Sequence, residues 1–207
     1  VRPDEPGART GDAFGDELVH RLQRVVVDPA DDLVERVVDR TLSLSFCVPG
    51  GTTPGPVFDV LSGVKLDWGR VTVFLNDERW VPETSDRSNG RLLRSRLLKG
   101  EAAAAQFVPL YADAPEPEAA IANLTAAIAP NLPISVLLLG MGADMHTASL
   151  FPGADRLAEA LAPDAPVLVP LRAPGAGEPR VTLSARAPAE AMAIHSLITG
   201  DEKRAAN

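Results

Sequence analysis

Short apolar segments alternate with amphipathic segments along this chain, and no other feature of the sequence limits the possible folds so strongly. The apolar segments, which are typical of buried strands, are residues 42–48, 71–75, 134–139, 167–171, 181–183 and 193–199. Apolar residues at helical spacing occur within residues 16–26, 33–38, 54–61, 88–98 and 116–129. Parallel strands need crossover connections, which helices usually supply. The alternation therefore predicts a three-layer α/β/α fold, with a mainly parallel, Rossmann-like sheet and helices on both faces.

The predicted topology also indicates where a ligand would bind. In an open sheet of parallel strands, ligands bind beyond the carboxyl ends of the strands. The loops that follow Val48, Leu75, Leu139 and Thr199 lie at such ends. The sequence therefore predicts functional residues in these four loops.

Length and composition indicate an ordinary globular protein. We expect the 207 residues to form a single α/β domain. Hydrophobic residues make up 45% of the chain, and no apolar run approaches the ~20 residues of a membrane helix. The first residues lack the apolar stretch of a signal peptide, and Cys47, as the only cysteine, cannot form an intramolecular disulfide. These features favour a cytoplasmic location.

The net charge of −8 argues against nucleic acid or an anionic membrane as the main partner. An anionic small molecule would require a few local cations to offset the field of the protein. The sequence does not define the oligomeric state, and we expect a monomer or a small homo-oligomer.

A glycine turn joins the first predicted strand to the next helix. Its sequence is Pro49-Gly50-Gly51-Thr52-Thr53-Pro54, and either threonine could cap the helix. Backbone N–H groups at such a turn are unpaired and can bind a phosphate, although glycines also serve simply to make a tight turn. No Gly-Lys-Ser/Thr follows, so this is not the phosphate loop of the nucleoside triphosphatases.

The second such strand is followed by Asn76-Asp77-Glu78-Arg79-Trp80, which we expect to begin a polar loop over residues 76–85. An arginine between carboxylates is costly to bury unless it is paired or bound to a ligand. Arg79 is therefore either a ligand-binding residue or a salt-bridged anchor packed on Trp80. Residues 85–89 could serve only to cap the helix that follows.

A histidine lies in the loop after the most hydrophobic strand. His146 falls within residues 140–153, two positions after Asp144. A neutral imidazole can take a proton from water near physiological pH, and a nearby carboxylate could orient the ring. A purely structural histidine is the alternative. Gly140-Met141-Gly142 does not complete a dinucleotide-binding motif, because the third glycine position is Met145.

Other chemistries lack their motifs. The chain contains no Gly-x-Ser-x-Gly, His-Glu-x-x-His or Cys-x-x-Cys segment, which argues against a serine hydrolase and against zinc. His20 falls on the first predicted helix and His195 in a predicted strand, and both suit structural or surface positions. His146 is therefore the candidate general base. Arg180 and Lys203 are cations beside strand ends, although each alone could be a solvated surface charge.

Taken together, these loops resemble those of the 6-phosphogluconolactonase family, which is related to the glucosamine-6-phosphate deaminases. The similar stretches come in the order of the family: residues 49–54, 76–82, 88–89 with Leu92-Leu93, 140–153, 180–183 and 199–203. They span about three quarters of the chain. The resemblance implies hydrolysis of 6-phospho-D-glucono-1,5-lactone to 6-phospho-D-gluconate, a step of the oxidative pentose phosphate pathway, with no cofactor and no metal.

The resemblance also implies roles for individual residues. His146 would activate the attacking water, and Asp77 and Asn89 would shape the sugar pocket. The turn Gly50-Gly51-Thr52 would hold the phosphate together with two cations, Arg79 and Lys203. Arg180 would support the phosphate side. The groups that receive the developing oxyanion are not assigned, although backbone N–H groups and Arg79 could serve.

The chain departs from the family pattern at three places. Pro49 stands where many relatives have serine, which removes a hydroxyl and an N–H from the turn. Met145 replaces a common glycine. The sequence ends four residues after Lys203, so we expect it to lack a C-terminal helix of the family.

Two other functions remain as alternatives. A glucosamine-6-phosphate deaminase would share the glycine turn and the histidine loop, but its loop typically continues as Ala-Phe-Asn-Glu-Pro, whereas this chain reads Ala148-Ser149-Leu150-Phe151-Pro152. The missing glutamate favours the lactonase. A non-catalytic regulator that binds sugar phosphates is the second alternative, and the presence of His146 argues against it.

Overall fold

The structure, a computed structural model, describes residues 44–142 and 146–197. Its strands are β1 (Leu44–Val48), β2 (Val71–Leu75), β3 (Asp77–Arg79), β4 (Gln106–Val108), β5 (Val136–Gly140), β6 (Leu168–Leu171), β7 (Arg180–Leu183) and β8 (Ile194–Leu197). Its α-helices are α1 (Gly55–Leu61), α2 (Asn89–Arg96), α3 (Ile121–Ile128), α4 (Leu157–Ala160) and α5 (Arg186–Ala189). The predicted helices within residues 16–26 and 33–38 lie outside the described residues.

Five strands form a parallel sheet in the order β4-β2-β1-β5-β8, which confirms the predicted mainly parallel α/β fold. The central strand β1 pairs along its length with β2, from Leu44 opposite Val71 to Val48 opposite Leu75. Every residue of β2 is buried. Such continuous apolar strands are typical of parallel sheets, because both faces of these sheets are covered.

The other three strands form a separate antiparallel sheet in the order β3-β7-β6. The prediction of a polar loop over residues 76–85 was wrong in its first part, because Asp77–Arg79 is a strand that pairs with β7. Its three side chains are charged, so hydrophobic alternation could not reveal it. The prediction also missed β4, whose three residues are too few for a periodic signal. One hydrophobic core nevertheless includes residues of both sheets, such as Phe46 and Leu183.

Two helices begin at the rim of the parallel sheet. The predicted threonine cap of α1 was wrong, because Pro54 is the N-cap and no side chain bonds to the first turn. In α2, by contrast, the Ser88 hydroxyl accepts a hydrogen bond from the Arg91 N–H at 3.1 Å, which confirms the predicted cap. Within the described residues, no helix has the length and apolar character needed to cross a membrane.

Candidate active site

A cleft of about 400 Å³ lies beyond the carboxyl ends of β1, β2 and β5. Its lining includes eight of the nine residues that the sequence assigned to the site: Gly50, Gly51, Thr52, Asp77, Arg79, Asn89, His146 and Arg180. The ninth, Lys203, lies outside the described residues, as does Asp144. The fold thus brings five separate segments of the chain to one place.

The glycine turn packs against the start of α2. A Cβ atom at position 50 would collide with the carboxamide of Asn89, so no other residue type fits there without moving that amide. Gly51 has a φ of +81°, a backbone conformation that favours glycine. The Asn89 amide is itself fixed, because its Nδ2 donates to the Asp77 carbonyl at 3.0 Å. The two glycines are therefore required for the turn to lie beside Asn89.

The side chains of β3 alternate between two environments, as in any strand. Asp77 and Arg79 line the cleft, whereas Glu78 does not. In the antiparallel pairing with β7, Asp77 is opposite Thr182 and Arg79 is opposite Arg180. Because directly opposite residues project to the same face, one side of this small sheet presents two arginines and a carboxylate to the cleft.

Asp77 is held by two partners. Its Oδ2 accepts a hydrogen bond from the Ser149 hydroxyl at 2.6 Å and lies 3.7 Å from Nη1 of Arg180. The Asp77 and Arg180 side chains are only 10% and 9% exposed. Burial lowers the pKa of Arg180, and the nearby Arg79 lowers it further, while Asp77 opposes both effects. The cleft thus contains a buried cation that Asp77 compensates only in part.

The two arginines retain hydrogen-bonding capacity. Nη1 of Arg79 donates to the carbonyl of Arg87 at 2.9 Å. Among the described residues, Nε of Arg79 and Nε of Arg180 are buried and have no hydrogen-bond partner. Like charges directly opposite each other across a strand pair are destabilising, and buried polar groups normally have partners. A bound anion between the two guanidinium groups would offset their mutual repulsion and would give their Nε–H groups hydrogen-bond partners.

His146 also lines the cleft and is half-buried. Its ring packs on the ring of Phe151 with a centroid separation of 4.2 Å. Cζ of Arg180 lies 5.5 Å from the centroid of the same phenyl ring. Phe151 therefore makes contact with both the imidazole and the guanidinium group, and it provides an apolar surface beside the candidate base.

Sequence reasoning assigned no role to Glu78, which organises the start of α2. Its Oε1 accepts from the N–H groups of Arg79 and Asn89, each at 2.8 Å, and its Oε2 accepts from the Gly90 N–H at 2.7 Å and the Ser88 hydroxyl at 3.2 Å. Burial raises the pKa of Glu78, and the three backbone hydrogen bonds oppose that rise. Because Glu78 lies ten positions before Ser88, no local capping motif could reveal this role.

Sequence reasoning also missed two buried polar residues near the cleft. Asn76 follows β2, and its backbone N–H donates to the Val48 carbonyl at 2.9 Å. Ser149 is fully buried between Asp77 and Thr182. The position of Asn76 at a strand end was a usable signal, whereas the role of Ser149 depends on contacts with residues far away in sequence. Within the described ranges, no cluster of three or more His, Cys, Asp or Glu side chains could hold a metal ion.

Fold and cleft together define an α/β enzyme for a small anionic substrate, with a glycine turn, paired arginines and an imidazole beyond the ends of parallel strands. Comparison with known proteins then identifies the family. Residues 15–207 match the family described as glucosamine-6-phosphate isomerases/6-phosphogluconolactonase. The chain belongs to that family.

Three relatives of this chain share the name 6-phosphogluconolactonase. A 6-phosphogluconolactonase of Rhizobium meliloti is 51% identical over 142 residues, which is 68% of this chain and 61% of that protein. A 6-phosphogluconolactonase of Mesorhizobium japonicum is 44% identical over 86% of this chain and 75% of its own length. The crystal structure of a 6-phosphogluconolactonase from Shewanella baltica has a TM-score of 0.82 and 32% identity, covering 95% of this chain and 81% of that one.

Proposed function

We propose that this protein hydrolyses 6-phospho-D-glucono-1,5-lactone to 6-phospho-D-gluconate, as the names of its relatives suggest. One observation carries the proposal: a single cleft is lined by an imidazole, two arginines and the glycine turn. A sugar lactone that is an ester at one end and a phosphate at the other needs both kinds of group. No cofactor is required for this hydrolysis, because water is the second reactant.

The phosphate end would lie between the arginines and the turn. Arg79 and Arg180 are opposite each other across β3 and β7, and the Nε groups of both are unpartnered among the described residues. A dianion bound there would receive charge-assisted hydrogen bonds from the arginines and further hydrogen bonds from backbone N–H groups of Gly50, Gly51 and Thr52. By resemblance to the family, Lys203 would join this group.

The ester end would lie beside His146. The imidazole would accept a proton from a water molecule while the water oxygen forms a bond to the lactone carbonyl carbon. The resulting tetrahedral oxyanion would collapse and break the bond between that carbon and the ring oxygen. The imidazolium would then return its proton to the ring oxygen as it leaves. General-base assistance typically contributes about 10²- to 10⁴-fold, and positioning of the reactants adds to it.

The isomerase members of the family are the nearest rival, and the histidine loop argues against them. Their loop typically supplies a glutamate where this chain has Phe151. Here the Phe151 ring packs directly on His146, so this position supplies an apolar surface and no carboxylate. Asp77 and Asn89, which meet through the Asp77 carbonyl, would border the sugar ring.

Two further expectations belong to the same proposal. The enzyme would act in the oxidative pentose phosphate pathway, and it would do so in the cytoplasm, where a lone buried thiol such as that of Cys47 stays reduced.

The test is hydrolysis of freshly prepared lactone at controlled pH by wild-type protein and by His146→Ala. We expect the variant to lose at least about a hundredfold in kcat, because its general base is gone. His195→Ala is the matched control, since His195 lies on β8 and does not line the cleft. Circular dichroism would establish that both variants fold.

Each result has a distinct meaning. A wild-type rate no higher than spontaneous hydrolysis would disprove the lactonase proposal. Equal rates for wild type and His146→Ala would remove the imidazole from the mechanism but leave the substrate in place. Release of ammonia from glucosamine 6-phosphate by the wild type would favour the isomerase alternative.

A further inference from the structure

Ser149 occupies an unusual position for a serine in the loop of a candidate active site. Its residue exposure is 0%, so its hydroxyl does not reach the cleft as a nucleophile would. Its backbone N–H donates to Oγ1 of Thr182 at 3.1 Å, and its hydroxyl donates to Oδ2 of Asp77 at 2.6 Å. These two bonds join the histidine loop to both strands of the β3–β7 pair.

The short hydrogen bond fixes one oxygen of Asp77. Thr182 cannot replace this donor, because its own hydroxyl donates to the Leu183 carbonyl at 3.1 Å. Within the described part of the chain, the bond from Ser149 is the hydrogen bond that the Asp77 carboxylate accepts, and Arg180 approaches the same Oδ2 at 3.7 Å. Asp77 also lines the cleft. With Oδ2 committed to Ser149 and Arg180, Oδ1 is the oxygen left for a substrate.

We propose that Ser149 is a positioning residue, which orients Asp77 so that Oδ1 can accept a hydrogen bond from a hydroxyl of the sugar ring and Oδ2 stays against Arg180. The inference rests on the proposed function for the identity of the sugar. Ser149 also lies three residues after His146, so the same bond ties the loop that carries the base to the strand that carries the carboxylate.

Ser149 fixes the Asp77 carboxylate, and small displacements of this carboxylate are expected to lower the rate. A carboxylate that loses its donor can rotate about its side-chain torsions, and the ion pair between Asp77 and Arg180 then loses its fixed geometry. A shift of about 1 Å in a group that positions the substrate can cost on the order of a hundredfold in rate. The orientation of Asp77 accounts for only part of such a loss, so we expect Ser149→Ala to lower the rate about tenfold.

The chain offers a matched control in Ser184. It is also fully buried and stands at the end of β7, but its hydroxyl has no hydrogen-bond partner among the described residues and it does not line the cleft. Ser184→Ala therefore removes the same atom from an equally buried site that has no link to Asp77.

The kinetic test compares Ser149→Ala, Ser184→Ala and wild type on the lactone. We expect Ser149→Ala to lower kcat about tenfold with KM changed less than twofold, and Ser184→Ala to leave both unchanged. In a double-mutant cycle, Ser149→Ala should change kcat less than twofold when Asp77 is already alanine. A wild-type kcat in Ser149→Ala, or the same tenfold loss in the Asp77→Ala background, would overturn the proposal.

A second measurement does not depend on activity. Denaturant unfolding of the same four proteins of the cycle gives the coupling between the two side chains directly. We expect Ser149→Ala to raise the unfolding constant at least fivefold in the wild type and less than twofold in Asp77→Ala. Strong coupling together with an inactive wild type would place the failure in the proposed substrate, whereas absent coupling would refute the role of Ser149 whatever the activity.

Discussion

Asp77 and Glu78 are adjacent carboxylates on β3, but their side chains lie in different environments. Glu78 accepts four hydrogen bonds, three of them from backbone N–H groups, and holds the start of α2. The Asp77 carboxylate accepts one hydrogen bond among the described residues, from the Ser149 hydroxyl, and lies beside the buried Arg180 at the cleft. A strand alternates its side chains between two faces, so a single step along the chain separates a structural carboxylate from one that faces the cleft.

The comparison shows how to recognise a functional charge in this fold. The Glu78 carboxylate has four hydrogen-bond donors around it and needs no ligand as a partner, although burial still raises its pKa. The cluster around Asp77 is incomplete, because it includes arginine N–H groups without partners among the described residues. Satisfied buried charges mainly stabilise the fold, whereas incompletely satisfied ones at a cleft indicate where a ligand completes the site.

The largest expected difference between the two carboxylates is in catalysis. Asp77→Asn should lower kcat/KM about a hundredfold, equivalent to about 2.7 kcal/mol, because the cleft loses the charge that faces Arg180. Steady-state kinetics on the lactone would measure this. If Asp77→Asn retained full activity, Asp77 would be a structural residue like Glu78 and the distinction would fail.

The next effect is in stability. Glu78→Gln should lower the free energy of unfolding by about 2 kcal/mol, because the amide N–H₂ of glutamine would face the Gly90 N–H and leave that donor unsatisfied. Urea denaturation followed by circular dichroism would measure it. The kcat of the folded fraction should stay within a few-fold of wild type, and a larger loss would show that the cap also controls catalysis.

A smaller effect is expected at the helix cap itself. Ser88→Ala removes both the bond accepted from the Arg91 N–H and the bond donated to Glu78, and should cost about 1 kcal/mol of stability. Calorimetry would detect it as a lower Tm. Ser95→Ala, which removes an exposed hydroxyl bonded to the Leu92 carbonyl, is a control that should change Tm less.

The smallest effect concerns pH. Because the folded-state pKa of Glu78 is raised above its ordinary value of 4.5, the folded protein binds this proton more readily than the unfolded chain. The stability difference between wild type and Glu78→Gln should therefore grow as the pH falls from the raised pKa towards 4.5.

Asp59 should behave oppositely, because its hydrogen bond with Arg96 lowers its pKa below 3.8 and its contribution to stability disappears as the pH falls further. Urea titrations of Glu78→Gln and Asp59→Asn, each against wild type at several pH values, would compare the two slopes of stability with pH, and a shared sign would contradict this assignment.

Much of the site could be predicted from sequence because its residues follow strand ends. Gly50, Asp77 and His146 come after β1, β2 and β5, and the carboxyl ends of parallel strands meet at one edge. The antiparallel sheet could not be predicted in the same way. Its strand β3 consists of three charged residues, and only the pairing with β7 makes it a strand.

The sequence by itself determined the alternation of buried strands and helices, the glycine turn and the imidazole after the apolar strand at residues 134–139, because periodicity and turn chemistry are local properties of a chain. Only the tertiary structure decided which charged side chains face the cleft and which ones hold the fold together. The opposition of Arg79 and Arg180, the cap formed by Glu78 and the bond from Ser149 to Asp77 all join residues far apart in sequence. Their energies depend on burial and on partners, and neither exists until the chain has folded.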